Sequence, residues 1–206
     1  LKPLRVDYVF FPSAKDMYPE GYQTYVEVLK LSQGLCGDFR PGHFRGVATV
    51  VAKLFNIVLP DFAIFGQKDY QQLKVIEQMT KDLNLPIKII GAKTVREKNG
   101  LAMSSRNRYL SQEEREQALS LSRALFSAQK KVSAGQRDAG ALIKSACELI
   151  SKNPLARIEY LEIRDCGNLE PVKTIDWKSQ MILAIWVGKT RLIDNIRLIP
   201  QNKTRG

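Results

Sequence analysis

The chain has 206 residues, 44% of them hydrophobic and 26% charged, with a formal net charge of +11. That length suits one large domain or two small ones with a real core, which excludes a disordered tail or linker. The longest apolar runs, near Val47–Leu59 and Met181–Val187, are too short or too broken for the roughly 18 apolar residues of a membrane span. No signal peptide is expected from Leu1-Lys2-Pro3-Leu4-Arg5.

Val6-Asp7-Tyr8-Val9-Phe10-Phe11, stopped by Pro12, reads as a buried strand. A turn-rich stretch, Ser13 to Gly21, leads to a second expected strand, Thr24–Val28. A Gly/Pro-rich loop from Gly37 to Gly46 carries Arg40 and His43. Val47, Val50, Val51, Leu54, Phe55 and Val58 recur at helical spacing, and Pro60 ends that helix. Phe62–Phe65 is a short strand closed by Gly66; Gln72, Val75, Ile76, Met79 and Leu83 mark the next helix; Ile87–Ile90 is a strand closed by Gly91. This alternation predicts a parallel sheet with crossover helices, whose ligands gather at the carboxyl ends of the strands.

The second half changes character. Ser111 and Glu114 form a capping box for a helix reaching about Lys131, and Asp138 can cap another helix carrying Leu142, Ile143, Ala146, Leu149 and Ile150. Three strands follow, Ile158–Arg164, Met181–Val187 and Arg191–Leu198, with Gly188-Lys189 as a tight hairpin between the last two. The expected class is α/β: a partial Rossmann-like parallel-sheet domain over residues 1–107, then a small α+β domain with an antiparallel meander over 108–206.

A basic balance suits an anionic partner such as nucleic acid, acidic lipid or phosphorylated small molecules. The cations are scattered, with no run of five like charges. The interleaved aromatic platform of single-strand binders is missing, so an RNA-binding role ranks last. Three widely spaced cysteines, Cys36, Cys147 and Cys166, fit free thiols in a reducing, cytoplasmic compartment, not a disulfide framework or zinc site. A single histidine, His43, excludes a His-rich metal site within these residues.

Gly66-Gln67-Lys68-Asp69 joins a strand end to a helix start, where free backbone N–H groups and the Lys68 ammonium suit a phosphate; Asp69 can equally be a plain helix cap. Gln72 shares an apolar stripe and needs partners, either a substrate group or core backbone. Met103-Ser104-Ser105-Arg106 can wrap a polyphosphate, hydroxyls donating and the guanidinium pairing as a fork, or can be a polar linker. Gly100 ahead of it is the candidate hinge. Arg40 can hold an anion, and His43 fits a structural or binding role better than acid–base catalysis.

Together, Arg40-Pro41-Gly42-His43-Phe44-Arg45-Gly46-Val47, Phe65-Gly66-Gln67-Lys68-Asp69-Tyr70-Gln71-Gln72-Leu73, and Thr94–Glu97 running through Gly100–Leu110 closely resemble the pantothenate synthetase (pantoate–β-alanine ligase) family. Phe11-Pro12-Ser13 with Met17-Tyr18-Pro19 also fits. Gln67 stands where most members carry Glu. The resemblance implies an ATP- and Mg²⁺-dependent ligase that joins pantoate to β-alanine through a pantoyl adenylate, releasing pyrophosphate and then AMP. It implies a cytoplasmic homodimer, with neither nucleic acid nor membrane as partner. It places Gly66, Gln67, Lys68, Asp69, Val95, Met103, Ser104, Ser105 and Arg106 on ATP and Gln72 on pantoate; Arg40 and His43 are the further candidates for pantoate. Lys68, Ser104, Ser105 and Arg106 face the phosphates as the catalytic set, and residues 108–206 form a lid.

One departure is large. The family opens with a strand and a Met-Gly-x-Leu-His-x-Gly-His loop whose histidines contact the phosphates, and nothing like it occurs here. The first pantoate-binding Gln and the acidic pair near Mg²⁺ are also missing. The chain is therefore expected to match the family from late in its nucleotide domain onward and to be inactive alone. The alternative is a non-catalytic nucleotide-binding or dimerisation remnant.

Overall fold

The computed structural model describes residues 2–201. Short helices α1 (Ala14–Met17) and α2 (Cys36–Phe39) precede the long helix α3 (His43–Val58). Strand β1 (Phe62–Gly66), helix α4 (Tyr70–Asp82) and strand β2 (Lys88–Ala92) form one crossover unit, with β1 and β2 parallel and Ile64 opposite Ile90. Helices α5 (Gln112–Ser133) and α6 (Ala139–Ser151) follow, then strands β3 (Ala156–Asp165), β4 (Ser179–Val187) and β5 (Thr190–Arg197) in an antiparallel meander.

Local chemistry explains most boundaries. Ser111 accepts from the Glu114 amide while the Glu114 carboxylate takes the Ser111 N–H, closing the expected capping box of α5. Asp138 Oδ1 accepts from the Ala141 amide at 2.5 Å and opens α6. Gly188, at φ +54°, and Lys189 make the two-residue hairpin between β4 and β5.

The two strands expected before residue 30 do not form. Residues 6–11 and 24–28 form no strand or bridge, and Tyr8 and Phe11 are each 93% exposed. A strand is held by its ladder, and among the described residues β1 and β2 pair only with each other. The second segment instead ties to α3, the Val26 amide donating to Thr49 Oγ1 at 3.0 Å. The turn-rich stretch after Pro12 holds a helical turn, α1, closed by a Ser13–Asp16 capping box.

The meander is covered on both faces. Leu121, Leu125, Leu142 and Ile150 of α5 and α6 pack with Leu183 and Ile185 in one core. Phe44, Phe55, Ile76 and Met79 of α3 and α4 pack with Tyr160, Ile182 and Ala184 in a second. Burial on two sides is why β4 reads as an unbroken apolar run where a half-exposed strand would alternate.

Candidate functional site

The parallel unit delivers its loops to a cleft of about 260 Å³ against the meander. Lys68 and Asp69 sit between β1 and α4, Arg40 between α2 and α3, His43 at the start of α3, and Ser104–Arg106 after the turn at residue 100. Gln72 of α4 and Tyr160, Arg191 and Asp194 of the meander complete the walls.

The loop carrying Ser104–Arg106 is built firmly. Ser104 Oγ accepts from the Arg106 amide and caps a 3-10 turn, Ser105–Tyr109. Buried Asn107 donates to Glu97 and to the Ala102 carbonyl, and Arg115 donates to the other Glu97 oxygen at 2.6 Å. Lys68 Nζ donates to the Met103 carbonyl at 3.1 Å, placing an ammonium beside the two serines. Burial pushes the Lys68 pKa below its ordinary value, with Asp69 and Asp194 pulling it back up. Arg106 Nη1 reaches the Arg191 carbonyl at 3.3 Å, so the loop also leans on β5.

Arg40 Nη1 lies 3.1 Å from His43 Nε2. A guanidinium can only donate, so Nε2 accepts and the ring is the neutral Nδ1–H tautomer. Burial, then Arg40, Arg191 and Arg106, holds the His43 pKa below its ordinary value, which agrees with that tautomer. His43 is the first residue of α3 and Gly42 holds the cap position, so His43 caps nothing.

The structure bears on three readings the sequence offered. The core glutamine is Gln71: its amide donates to the carbonyls of Leu31, Gln33 and Gly34, and its Oε1 accepts from the Cys36 amide. Both glutamines border the cleft, and Gln72 is the half-buried one. Asp69 occupies the cap position of α4 but makes no side-chain cap bond, so its carboxylate stays uncommitted to the helix. Gly100 is also less free than a hinge: at φ +95° it closes a turn, its N–H donating to the Glu97 carbonyl at 2.9 Å.

Arg40, His43, Lys68, Asp69, Gln72, Ser104, Ser105 and Arg106 are thus brought together. Gly66, Gln67, Val95 and Met103 are not among the cleft walls; Gln67 turns to the Gly91 carbonyl, and Val95 is exposed, its carbonyl holding the Met103 amide. Sequence reasoning missed the meander's share. Asp194, 1% exposed at its side chain, takes a forked pair from Arg96 at 2.6 and 2.9 Å. Burial raises the Asp194 pKa against the pull of Arg96. Asn195 Nδ2 donates to the carbonyls of Gln67 and Lys68, gripping the loop between β1 and α4 from β5. The available signal was the adjacent polar pair Asp194-Asn195 inside an otherwise strand-like apolar pattern.

Comparison with known proteins gives the family and the fold match. The sequence model of the family described as pantoate-beta-alanine ligase matches residues 1–197. A pantothenate synthetase of Sulfurihydrogenibium sp. (strain YO3AOP1) is 56% identical over 192 residues, covering 93% of this chain and 69% of that protein. The crystal structure of pantothenate synthetase from Thermus thermophilus matches with a TM-score of 0.93 at 42% identity, over 97% of this chain and 72% of that one. The pantoate-beta-alanine ligase of Francisella tularensis, solved in complex with beta-gamma ATP and beta-alanine, matches with a TM-score of 0.71 at 32% identity, over 95% and 66%.

Proposed function

The chain belongs to the pantoate-beta-alanine ligase family, and from this premise we propose that its cleft condenses pantoate with β-alanine at the expense of ATP. The observation that carries the reading is Lys68, anchored on the Met103 carbonyl beside Ser104, Ser105 and Arg106 in the same cleft as Gln72. A pantoate carboxylate oxygen attacks the α-phosphorus of ATP, and pyrophosphate leaves. The β-alanine nitrogen then attacks the acyl carbon, AMP leaves and the nitrogen gives up a proton. Charge builds on phosphoryl oxygens in the first step, where Lys68 and Arg106 supply cations and the two serines supply hydroxyl donors. Gln72 lies within the cleft to bond the pantoate hydroxyl or carboxylate, with Arg40 available to its charge. His43, neutral with Nε2 already taken, positions Arg40 and carries no catalytic proton. Gly66, Gln67, Val95 and Met103 serve ATP from behind the cleft walls by holding its loops: the Met103 carbonyl anchors Lys68, the Val95 carbonyl holds the Met103 amide, and Gln67, next to Gly66, is tied to Ala92 and Asn195.

Among the described residues no cluster of three or more His, Cys, Asp or Glu could cage a metal. Mg²⁺ is commonly held by one or two carboxylates plus substrate phosphates, and that mode fits Asp69, the cleft carboxylate free of a cap bond. When bound there the ion supplies charge neutralisation to the phosphates.

The division into a nucleotide domain (1–107) and a lid (108–206) is supported by the core of α5, α6 and the meander, to which Leu101 is the one buried contribution from before residue 108 among the described residues. The homodimer and a cytoplasmic site belong to the same proposal; no helix among the described residues is long and apolar enough to cross a membrane. The 206 residues alone are proposed to turn over slowly, because the nucleotide layer has only two paired strands among the described residues and one histidine serves the cleft. The test supplies the chain with ATP, Mg²⁺, pantoate and β-alanine and follows AMP release, with calorimetry of ATP alone. Micromolar-range ATP binding with weak turnover is expected. Rapid turnover overturns the slow-chain reading, and no ATP binding favours the dimerisation remnant.

A further inference from the structure

The strongest unassigned feature of the cleft is Arg191. It stands on β5, its side chain only 10% exposed, and it lines both the cleft and a neighbouring cavity that also takes in Arg40, Arg106 and Lys189. Burying a cation among cations is costly unless something offsets it. The offset is Glu159, 7% exposed at its side chain, whose Oε2 accepts from Arg191 Nε at 2.8 Å and Nη2 at 2.5 Å. The other oxygen, Oε1, is fixed by Trp186 Nε1 at 2.9 Å.

The backbone explains how Glu159 reaches that position. Ile158 pairs with Ile185 and Tyr160 with the adjacent Ala184, so Glu159 is the extra residue of a β-bulge in β3. A bulge breaks the alternation of the strand and re-aims a side chain, a device common beside active sites. Here it sends the carboxylate across β4 to Arg191, while the Tyr160 ring lies with its centroid 6.0 Å from the guanidinium. Nε and Nη2 are both spent on one carboxylate oxygen, and the Nη1 amine is not engaged by it. The Arg191 carbonyl meanwhile holds Arg106 of the Ser104–Arg106 loop.

We propose that Arg191 is a further substrate-binding residue of the cleft, taking an oxyanion of the substrates, and that Glu159, set by the bulge and by Trp186, is its positioning residue. This rests on the ATP and pantoate reading above. The shared chemistry is an oxyanion: a phosphoryl oxygen of the nucleotide or the carboxylate of the acid. The Nη1 amine of a guanidinium pre-oriented by Glu159 suits either, and Lys could not hold Glu159 through a fork and still present that donor.

The test separates ligand binding from mere neutralisation of Glu159. The double variant Glu159→Gln with Arg191→Gln removes both charges and leaves neither partner ionised. ATP, pyrophosphate and pantoate are titrated separately by calorimetry, with Lys68→Ala as the reference variant. The expected result is a near-native melting curve and an affinity reduced about 10- to 100-fold for at least one of the three. Loss confined to ATP and pyrophosphate identifies the phosphoryl oxygen, and loss confined to pantoate identifies the carboxylate. Unchanged affinities for all three in the folded double variant overturn the proposal, and a Lys68→Ala effect on ATP then shows that the nucleotide reading itself survives. A second measurement needs no variant fold. In the native chain the Arg191 side-chain ¹⁵N–¹H resonance is expected to move on saturation with pyrophosphate or pantoate, and a resonance that stays fixed with all three ligands overturns the assignment.

Discussion

Lys68 couples position to chemistry through one bond. Its ammonium is held by the Met103 carbonyl and half-buried between the strand loop and the serines. Removing a charged hydrogen-bonding group costs about 1.5–3 kcal/mol, so Lys68→Ala is expected to weaken ATP by tenfold or more and AMP far less. Calorimetry of the two nucleotides checks this; equal weakening would make Lys68 a support of the fold. His43 gives a pH prediction that is simple to read because the chain has one histidine. Its pKa in the fold lies below the ordinary 6.5, from burial first and Arg40 next. The unfolded chain therefore binds its proton first as the pH falls. Stability contributed by the neutral ring is full above about 6.5, declines from there to the folded pKa, and stays level below it. A proton-NMR titration of the imidazole should show a midpoint under 6.5, and Arg40→Ala should move it upward.

At the scale of elements, the turn around Gly100 decides how the Ser104–Arg106 loop is presented. Arg96 bridges Ala102, the Glu97 carbonyl takes the Gly100 amide, and Arg96 Nη1 holds the Gly100 carbonyl at 3.1 Å. At φ +95° a side chain is strained, and a Cβ there would meet Ser122 and Phe126 at 3.5–3.6 Å. Gly100→Ala should cost about 1–2 kcal/mol, lowering the melting temperature by roughly 2–8 °C in a chain of this size. Calorimetric melting measures it, and an unchanged curve would show that the turn relaxes freely. The helices here were legible because each carries its own stop and start: the α3 stripe with Pro60, the Ser111 box and the Asp138 cap. Residues 6–11 and 24–28 were not, because an apolar extended run becomes a strand only when a neighbour supplies the ladder.

Across the whole molecule, the two halves share the apolar core of α3, α4 and the meander and are fastened besides by well-made polar contacts. Arg96 forks onto Asp194, Asn195 holds the Gln67 and Lys68 carbonyls, and Tyr70 donates to the Cys166 carbonyl at 2.8 Å. Asp194→Ala leaves Arg96 unpaired where its side chain is 19% exposed. The expected loss is about 3 kcal/mol, the low end for a broken buried pair because Arg96 keeps some water. Denaturant unfolding followed by tryptophan fluorescence should show it. Loss of the single cooperative transition would mean that Asp194 joins two independently folding units, and a change under about 1 kcal/mol would mean that the pair is incidental.

The α/β class, the crossover unit, the meander and the family could all be read before any coordinates, since periodicity, caps and three ordered motifs are local signals. So could the residues from the first half that meet in the cleft, because a strand end followed by a helix start is a ligand position wherever it occurs. Which of Gln71 and Gln72 is spent on backbone could not, since both are adjacent amides and the choice rests on which carbonyls lie within reach. Folding in three dimensions was also needed to bring Arg191, Asp194 and Asn195 to residues 85 to 128 positions earlier, and Glu159 to Arg191. A bulge and a register are properties of paired strands, and no single strand's sequence contains its partner.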